Sequence, residues 1–192
     1  MEELSFIQPP SRLARIEERT AAIGFGMASE LRTGALLRTL AASKPGGRLL
    51  ELGTGTGIAT CWLLDGMDPA SELVSVDTDA TVQTIAREAF SDDARLNLVT
   101  EDAIAFLRRQ EPASFDLVFA DALRGKYEGL DEALRVVRRG GFYIIDDMLP
   151  QPNWPEGHAP KVPQLMAQLF ARADFHMLPL AWASGVVIAV RA

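Results

Sequence analysis

The stretch Arg48-Leu-Leu-Glu-Leu-Gly-Thr-Gly-Thr-Gly57 decides the fold of this chain. Its first five residues are mostly apolar and favour a buried strand. The glycines at 53, 55 and 57 then permit a tight turn and a close approach of the backbone to a ligand. A helix directly after such a turn offers free amides and the positive end of its dipole, which suit a carboxylate or a phosphate. The stretch predicts a ligand-binding turn between a strand and a helix; a turn that is rich in glycine only for its tightness is the alternative.

Strand and helix patterns alternate along the rest of the chain. We expect strands at 48–52, 73–77, 96–100, 115–120, 141–145, 176–180 and 185–190, and helices at 11–22, 29–42, 58–65, 80–90, 103–110, 129–138 and 163–173. Intervening helices imply right-handed crossovers between parallel strands, whereas the short link Ala181-Trp-Ala-Ser184 requires an antiparallel pair. The prediction is one α/β domain over 1–192 with a doubly wound, Rossmann-like, seven-stranded and mostly parallel sheet whose last strand is antiparallel. Residues 1–45 form a helical segment that covers the cofactor and substrate side, and 46–192 form the core.

The composition limits the classes of partner. The chain has 192 residues, 48% of them hydrophobic, and a formal net charge of -7, which disfavours a nucleic-acid partner. Its single cysteine, Cys61, allows no internal disulfide and favours a reducing compartment. The N-terminus lacks the pattern of a secretion signal, and no apolar run is long enough to span a bilayer. We therefore expect a cytoplasmic protein with no membrane association.

Acidic residues after the next two strands extend the predicted cofactor site. Asp77 ends the second strand, about twenty residues after the glycine turn, where an acid accepts hydrogen bonds from ribose hydroxyls. Asp102 and Ala103 follow the third strand and are candidates for the adenine, although Asp102 as a helix N-cap is a compatible alternative. A dinucleotide fingerprint would need glycine where the chain has Ile58. These features favour S-adenosylmethionine, and the predicted cofactor residues are Glu51, Gly53, Thr54, Gly55, Thr56, Gly57, Asp77, Thr78, Asp102, Ala103 and Asp121.

Three aspartates follow the fourth and fifth strands. Asp121 comes after the fourth strand, and Asp146 and Asp147 come after the fifth. The carboxyl ends of parallel strands meet at one edge of a sheet, where three carboxylates would repel one another unless a cation lay between them. Oxygen ligands suit Mg²⁺, Ca²⁺ or Mn²⁺. The alternative is that one carboxylate caps a helix or binds the methionine amine while the others are solvated.

Longer motifs resemble the metal-dependent O-methyltransferases of the catechol and caffeoyl-CoA type. The similarity covers about residues 27–192 and rests on the glycine stretch, Val76-Asp77, Glu101-Asp102-Ala103, Phe115 to Asp121 with Lys126-Tyr127, and Arg139 to Leu149. The resemblance implies that Asp121, Asp146 and Asp147 hold a divalent cation, which lowers the pKa of a hydroxyl on a small-molecule substrate. It also implies a homodimer. Met27 and the step Thr33-Gly34 resemble the family's cofactor-covering segment.

The chain departs from this family at several positions. Arg124 stands where the family usually has lysine, and arginine effectively cannot lose its proton. We expect Lys126 to substitute, so the predicted catalytic residues are Asp121, Arg124 and Lys126. Asp147 stands where the family usually has asparagine. Ala59 replaces a serine whose cofactor contact Thr60 is expected to take over.

Other functions and residues remain open at this point. A methyltransferase for a tRNA base hydroxyl, a cofactor-binding protein without catalysis, and a nicotinamide dehydrogenase are the competing hypotheses. Trp154, in the loop 149–163, borders the substrate pocket or else covers the core or a dimer contact. We expect surface or structural roles for His158 and His176, and an interface role for Trp182.

Overall fold

A computed structural model describes residues 6–152, 154 and 156–192. The first residues of the predicted N-terminal segment, and Asn153 and Pro155 of the proline-rich loop, lie outside this description. The described residues form seven helices: α1 (Leu13–Ala22), α2 (Leu31–Ala42), α3 (Ile58–Gly66), α4 (Ala80–Ala89), α5 (Ala103–Arg109), α6 (Leu130–Arg135) and α7 (Lys161–Phe170). They also form seven strands: β1 (Arg48–Leu52), β2 (Glu72–Asp77), β3 (Leu96–Thr100), β4 (Phe115–Ala120), β5 (Val137–Ile145), β6 (Phe175–Leu180) and β7 (Val186–Arg191).

The strands form one sheet in the order β3-β2-β1-β4-β5-β7-β6. The first five strands along the chain pair in parallel, and β7 is antiparallel to both of its neighbours, β5 and β6. The predicted fold class is therefore confirmed. Because the chain order reverses beside β1, the carboxyl ends of β1, β2 and β4 open onto the crevice where α/β proteins bind ligands.

Several element boundaries differ from the predictions. Strand β5 begins at Val137 rather than 141, because Val137 pairs with Phe115 before the register shifts and Phe142 pairs with Leu117. Helix α6 accordingly ends at Arg135. Helix α7 begins at Lys161 and includes Pro163, whose missing N–H costs little because the amides of a first helical turn have no intrahelical partner.

Two apolar layers enclose the sheet. Helices α5, α6 and α7 pack on one face, and α1, α2, α3 and α4 pack on the other. The apolar side of α1 packs into the second of these layers, where Leu13 and Ile16 are buried. Within the part of the chain that the structure describes, no helix has the length and apolar character needed to cross a membrane.

The side chain of Glu51 lies buried beneath the glycine turn. Its Oε2 accepts hydrogen bonds of 2.5 Å from the hydroxyls of Thr60 and Ser75. The Thr54 hydroxyl lies 2.6 Å from Ser75 Oγ and accepts a 3.0 Å bond from Gln83 Nε2. Because Ser75 donates to Glu51, Thr54 must donate to Ser75, which fixes the direction of the whole chain of bonds. This chain ties the turn to β2 and α4.

Burial raises the pKa of Glu51 from its ordinary value of 4.5 to about 7, and hydrogen bonds from Ser75 and Thr60 only partly oppose that rise. Between these two pKa values the folded protein keeps a proton that the unfolded chain has lost. The contribution of this proton to stability is complete below pH 4.5 and is lost as the pH rises through about 7.

We predict that Glu51→Gln removes this pH dependence, because glutamine does not titrate. The wild type should lose roughly 2.5 kcal/mol of unfolding free energy relative to the variant between about pH 5 and pH 8. Urea unfolding at both pH values measures the difference. Glu111→Gln, at an exposed position, is the control and should follow the wild type. Parallel pH profiles for wild type and Glu51→Gln would contradict the assignment.

Gly34 allows a close contact between α2 and α3. A Cβ at this position would overlap the indole ring of Trp62, which is fully buried. Thr33 and Gly34 are both buried in α2, and neither lines the cavity that opens at the carboxyl ends of the parallel strands. The predicted role of Thr33-Gly34 in covering the cofactor therefore does not fit. Gly34 instead allows α2 and α3 to pack closely.

We predict that Gly34→Ala destabilises the fold by about 2 kcal/mol, because an added methyl group in a filled core forces its neighbours apart. A shift of the urea midpoint to lower concentration, at unchanged slope, is the expected readout. Gly26→Ala is the control, since its added methyl meets no atom within 4 Å. Equal midpoints for the two variants would show that Trp62 accommodates the methyl group.

Candidate active site

A cavity of about 690 Å³ opens at the carboxyl ends of the parallel strands. It brings together most of the residues that the sequence singled out. The predicted site residues that line it are Gly53, Thr54, Gly55, Thr56, Asp77, Thr78, Ala103, Asp121, Arg124, Lys126, Asp146 and Asp147. The glycine turn forms its floor on one side, and the aspartates after β4 and β5 form the wall on the other.

The glycine turn is held in place by Asp77. The Gly55 amide donates to Asp77 Oδ2 at 2.8 Å, and the Asp79 amide donates to Oδ1 at 2.9 Å. All three glycines of the turn have positive φ, and Gly57 precedes α3 in the left-handed region with φ 94°. The Phe25 ring covers Gly55, so a Cβ there would lie 3.2 Å from the ring. The turn thus has the shape of a cradle with an aromatic side chain above it.

Three predicted cofactor residues do not line the cavity: Glu51, Gly57 and Asp102. Glu51 lies under the turn and supports it from below. Asp102 caps α5 by accepting a 2.9 Å bond from the Ala105 amide, and its other oxygen lies 2.6 Å from Arg124 Nη1. Thr60 also does not line the cavity, because its hydroxyl is committed to Glu51; Ala59 lies at the cavity surface instead.

Asp121, Lys126, Asp146 and Asp147 form what we term the aspartate–lysine cluster. Asp121 Oδ2 accepts a 2.9 Å bond from Ser29. Asp146 Oδ1 accepts bonds from the Ser184 hydroxyl and, at 2.8 Å, from the Asp147 amide. Asp147 has φ 58°, a left-handed conformation that aspartate and asparagine tolerate better than most residues.

Lys126 is the basic member of this cluster. Only 3% of the residue is exposed, and its Nζ donates to the main-chain oxygen of Asp146. Burial lowers the pKa of Lys126, while Asp121, Asp147 and Asp146 oppose that change. Burial, with the nearby charge of Asp146, raises the pKa of Asp121. Arg124 lies elsewhere: it is half exposed and turned towards Asp102.

The described side chains do not form the ligand group of the predicted metal site. Among residues 6–152, 154 and 156–192, no three His, Cys, Asp or Glu side chains are arranged so that they could hold a metal ion. The aspartates line one cavity, but Lys126 lies beside the Asp146 main chain and hydrogen-bond donors from the protein occupy one oxygen each of Asp121 and Asp146. The donor set therefore does not fit a divalent cation as the resemblance implies.

An aromatic group borders the cavity opposite the glycine turn. Tyr127 Oη lies 3.0 Å from His158 Nε2, and the rings of Trp154 and His158 lie 4.5 Å apart. All three residues line the cavity. Burial lowers the pKa of His158, which favours a neutral ring. The expectation of a surface or structural role for His158 missed this contact, since the partner is 31 residues away in sequence.

Sequence reasoning also missed Phe25, Ser29 and Ser184 as cavity residues. Ser29 was placed at the start of a helix, but α2 begins at Leu31 and leaves Ser29 free to reach Asp121. Its place beside Met27, in the segment that resembles a cofactor cover, was the only available signal. Trp182, expected at an interface, donates from Nε1 to the Arg32 main-chain oxygen at 2.9 Å within the same chain.

Comparisons with known proteins agree with this geometry. A family model described as a methyltransferase domain matches residues 50–148. A Mycobacterium tuberculosis protein named a probable O-methyltransferase is 35% identical over 138 residues, which are 69% of this chain and 61% of that relative. The matched part thus spans less than two thirds of the relative's length.

Solved structures show the same fold. An O-methyltransferase from Bacillus cereus in complex with SAH has 21% identity and a TM-score of 0.83, covering 97% of this chain and 93% of that one. The O-methyltransferase TomG from Streptomyces achromogenes, in complex with SAM, has 20% identity and a TM-score of 0.82, covering 97% and 92%. With more than half of its residues matched by the family model, this chain belongs to the family of methyltransferase domains.

Proposed function

We propose that this protein is an S-adenosylmethionine-dependent O-methyltransferase that acts on a hydroxyl group of a small molecule. The observation that carries the proposal is one cavity that joins the glycine turn, Asp77 and Ala103 to the aspartates after β4 and β5. The family membership and the O-methyltransferase relative support the reaction type.

The charge of the cavity favours this cofactor over a dinucleotide. Among the described residues that line the cavity, seven are acidic and two are basic. S-adenosylmethionine carries a sulfonium and an ammonium group, whereas a dinucleotide carries a pyrophosphate that acidic walls would repel. The same acidity, together with the net charge of -7, opposes a tRNA phosphate backbone. Small hydroxylated molecules carry no such penalty.

Several residues fit the parts of this cofactor. Asp77 lies at the end of β2, where its carboxylate oxygens can each accept a further bond from ribose hydroxyls. Ala103 begins α5 at the cavity surface and suits the adenine side, with Thr78 beside Asp77. Gly53, Thr54, Gly55 and Thr56 offer main-chain contacts, and Asp121 is a carboxylate partner for the methionine ammonium.

The chemistry of transfer follows from the cofactor and the cavity. When bound, S-adenosylmethionine supplies an electrophilic methyl group, and the bond from the substrate oxygen to that carbon forms as the carbon–sulfur bond breaks and leaves its electron pair on sulfur. The cavity orients the hydroxyl, and this positioning supplies much of the rate. The carboxylates of Asp121 and Asp147 lie on the cavity wall and offer acceptors for the hydroxyl proton. No step is assigned to a divalent metal, because the donor set does not fit one.

Arg124 is a poor candidate for the predicted catalytic role. Its guanidinium pairs with Asp102 rather than with the aspartate wall. It is better placed to close the adenine side of the cavity. The hypothesis of a cofactor-binding protein without catalysis rested on arginine at this position, and Lys126 in the aspartate–lysine cluster weakens that argument.

We also propose the homodimer that the resemblance implies. The apolar face of α1 packs inside the protein, so an interface requires other apolar surface. Phe170 and Leu178, each 54% exposed, are candidates near the sheet edge at β6. Light scattering on the purified chain decides between a monomer and a dimer.

We predict that the protein binds S-adenosylhomocysteine and that Asp77→Asn weakens this binding by about tenfold or more, because hydrogen bonds to a charged acceptor are worth about 1.5–3 kcal/mol. Isothermal titration measures both affinities. The control is Asp174→Asn, an exposed aspartate that precedes β6 at the opposite edge of the sheet. No heat of binding with the wild type would refute the proposed cofactor, and an unchanged affinity in Asp77→Asn would remove Asp77 from the site.

We further predict turnover with small hydroxylated compounds. A panel of catechols, phenols and hydroxylated metabolites should yield S-adenosylhomocysteine together with an O-methyl product seen by NMR. Bulk tRNA, tested in parallel, should give no methyl incorporation above a reaction without protein. Incorporation into tRNA alone, or methylation at carbon or nitrogen, would overturn the proposed substrate class.

A further inference from the structure

We propose that the Lys126 ammonium is the resident cation of the aspartate wall, so that this protein binds no divalent metal there and transfers methyl groups without one. As an account of catalysis this inference rests on the proposed methyl transfer. As an account of metal exclusion it stands on the geometry of the aspartate–lysine cluster alone.

The burial of Lys126 is the first support. A charged side chain that is 3% exposed needs compensating partners, since an isolated buried charge is strongly unfavourable. Lys126 has two contacts, the Asp146 main-chain oxygen and the Tyr127 ring at 5.1 Å, and it lines the same cavity as the carboxylates of Asp121, Asp146 and Asp147. The fold thus holds a lysine beside the carboxylates to which the resemblance assigns a metal.

The turn after β4 explains how Lys126 reaches this position. Gly125 has φ 90°, and a Cβ there would overlap Leu52, so only glycine fits. The Gly125 amide donates to the Glu128 oxygen at 2.6 Å, and the buried Tyr143 hydroxyl donates to the Gly125 oxygen at 2.6 Å. This tight turn leaves Arg124 half exposed on Asp102 and buries Lys126 against Asp146.

The carboxylates are also partly occupied. Asp146 Oδ1 already accepts two bonds, from Ser184 and from the Asp147 amide, and Asp121 Oδ2 accepts one from Ser29. A hard divalent cation requires about six oxygen ligands. It would also face repulsion from the Lys126 ammonium on the same cavity, where burial weakens solvent screening. Both effects oppose metal binding.

The same ammonium can serve the reaction. Lysine has three N–H donors, and the Asp146 oxygen uses one of them. Lys126 lines the cavity, so a substrate oxygen on the aspartate wall would lie beside a fixed positive charge. Such a charge stabilises the developing oxyanion, which is the role that a Lewis-acidic metal plays in the resembled family.

The test is Mn²⁺ binding followed by electron paramagnetic resonance, with S-adenosylhomocysteine present, for wild type, Lys126→Ala and Lys161→Ala. We expect no wild-type site that depends on Asp146 at up to about 1 mM Mn²⁺, the weak end of protein sites for hard cations. Lys126→Ala should gain a Mn²⁺ site whose dissociation constant is at least about tenfold below that 1 mM limit, because the substitution frees space and removes the repelling charge. The gained site should disappear in the double variant Lys126→Ala/Asp146→Ala. Lys161, which is exposed and also lies near the Tyr127 ring, is the matched control and should behave as the wild type.

Two outcomes would overturn the inference. One is a wild-type Mn²⁺ site that is lost in Asp146→Ala, and this arm decides the matter even if Lys126→Ala fails to fold. The other is a folded Lys126→Ala protein, verified by circular dichroism, that gains no Mn²⁺ site. Neither readout requires turnover, so a protein that excludes Mn²⁺ as expected but never releases S-adenosylhomocysteine would refute the proposed function and leave the metal exclusion intact.

Discussion

The proposed site depends on one buried lysine that lies beside carboxylates, which would otherwise repel one another. Parallel strands bring Asp121 to the same edge of the sheet as Asp146 and Asp147, and carboxylates at such an edge repel one another unless a positive charge compensates them. In our proposal Lys126, which the Gly125 turn holds beside the Asp146 main-chain oxygen, supplies that charge from within the chain. We propose that this covalently attached cation takes the place of the exchangeable metal ion that the resembled family uses.

The opposite side of the cavity depends on hydrogen bonds rather than charge. Glu51, buried with a raised pKa, anchors the polar chain through Ser75 and Thr54 below the glycine turn, while Asp77 holds the turn from above through the Gly55 amide. Buried hydrogen-bond networks of this kind restrict the groups that they join to one arrangement. The turn is therefore preorganised, and the cofactor would find its cradle already formed.

The fold was predictable because its signals are local. Apolar runs predicted the strands, the glycine turn indicated the first crossover, and the short link at Trp182 indicated the antiparallel pair. The site was predictable only where a motif marks a residue, as at Asp77 or Asp121. The inward orientation of Lys126, the outward one of Arg124, and the pairing of Tyr127 with His158 depend on the packing of distant segments, such as Tyr143 on Gly125. The spacing of residues in sequence does not determine that packing. For the same reason the spacing suggested a metal site that the arrangement of the described side chains does not support.

A crystal structure grown with S-adenosylhomocysteine and Mn²⁺, with anomalous data at the manganese edge, tests the central claim most directly. The account predicts S-adenosylhomocysteine over the glycine turn against Asp77, the Lys126 ammonium on the Asp146 oxygen, and no anomalous peak between Asp121, Asp146 and Asp147. A manganese peak bridging these carboxylates with Lys126 turned away would contradict it, as would S-adenosylhomocysteine bound outside this cavity.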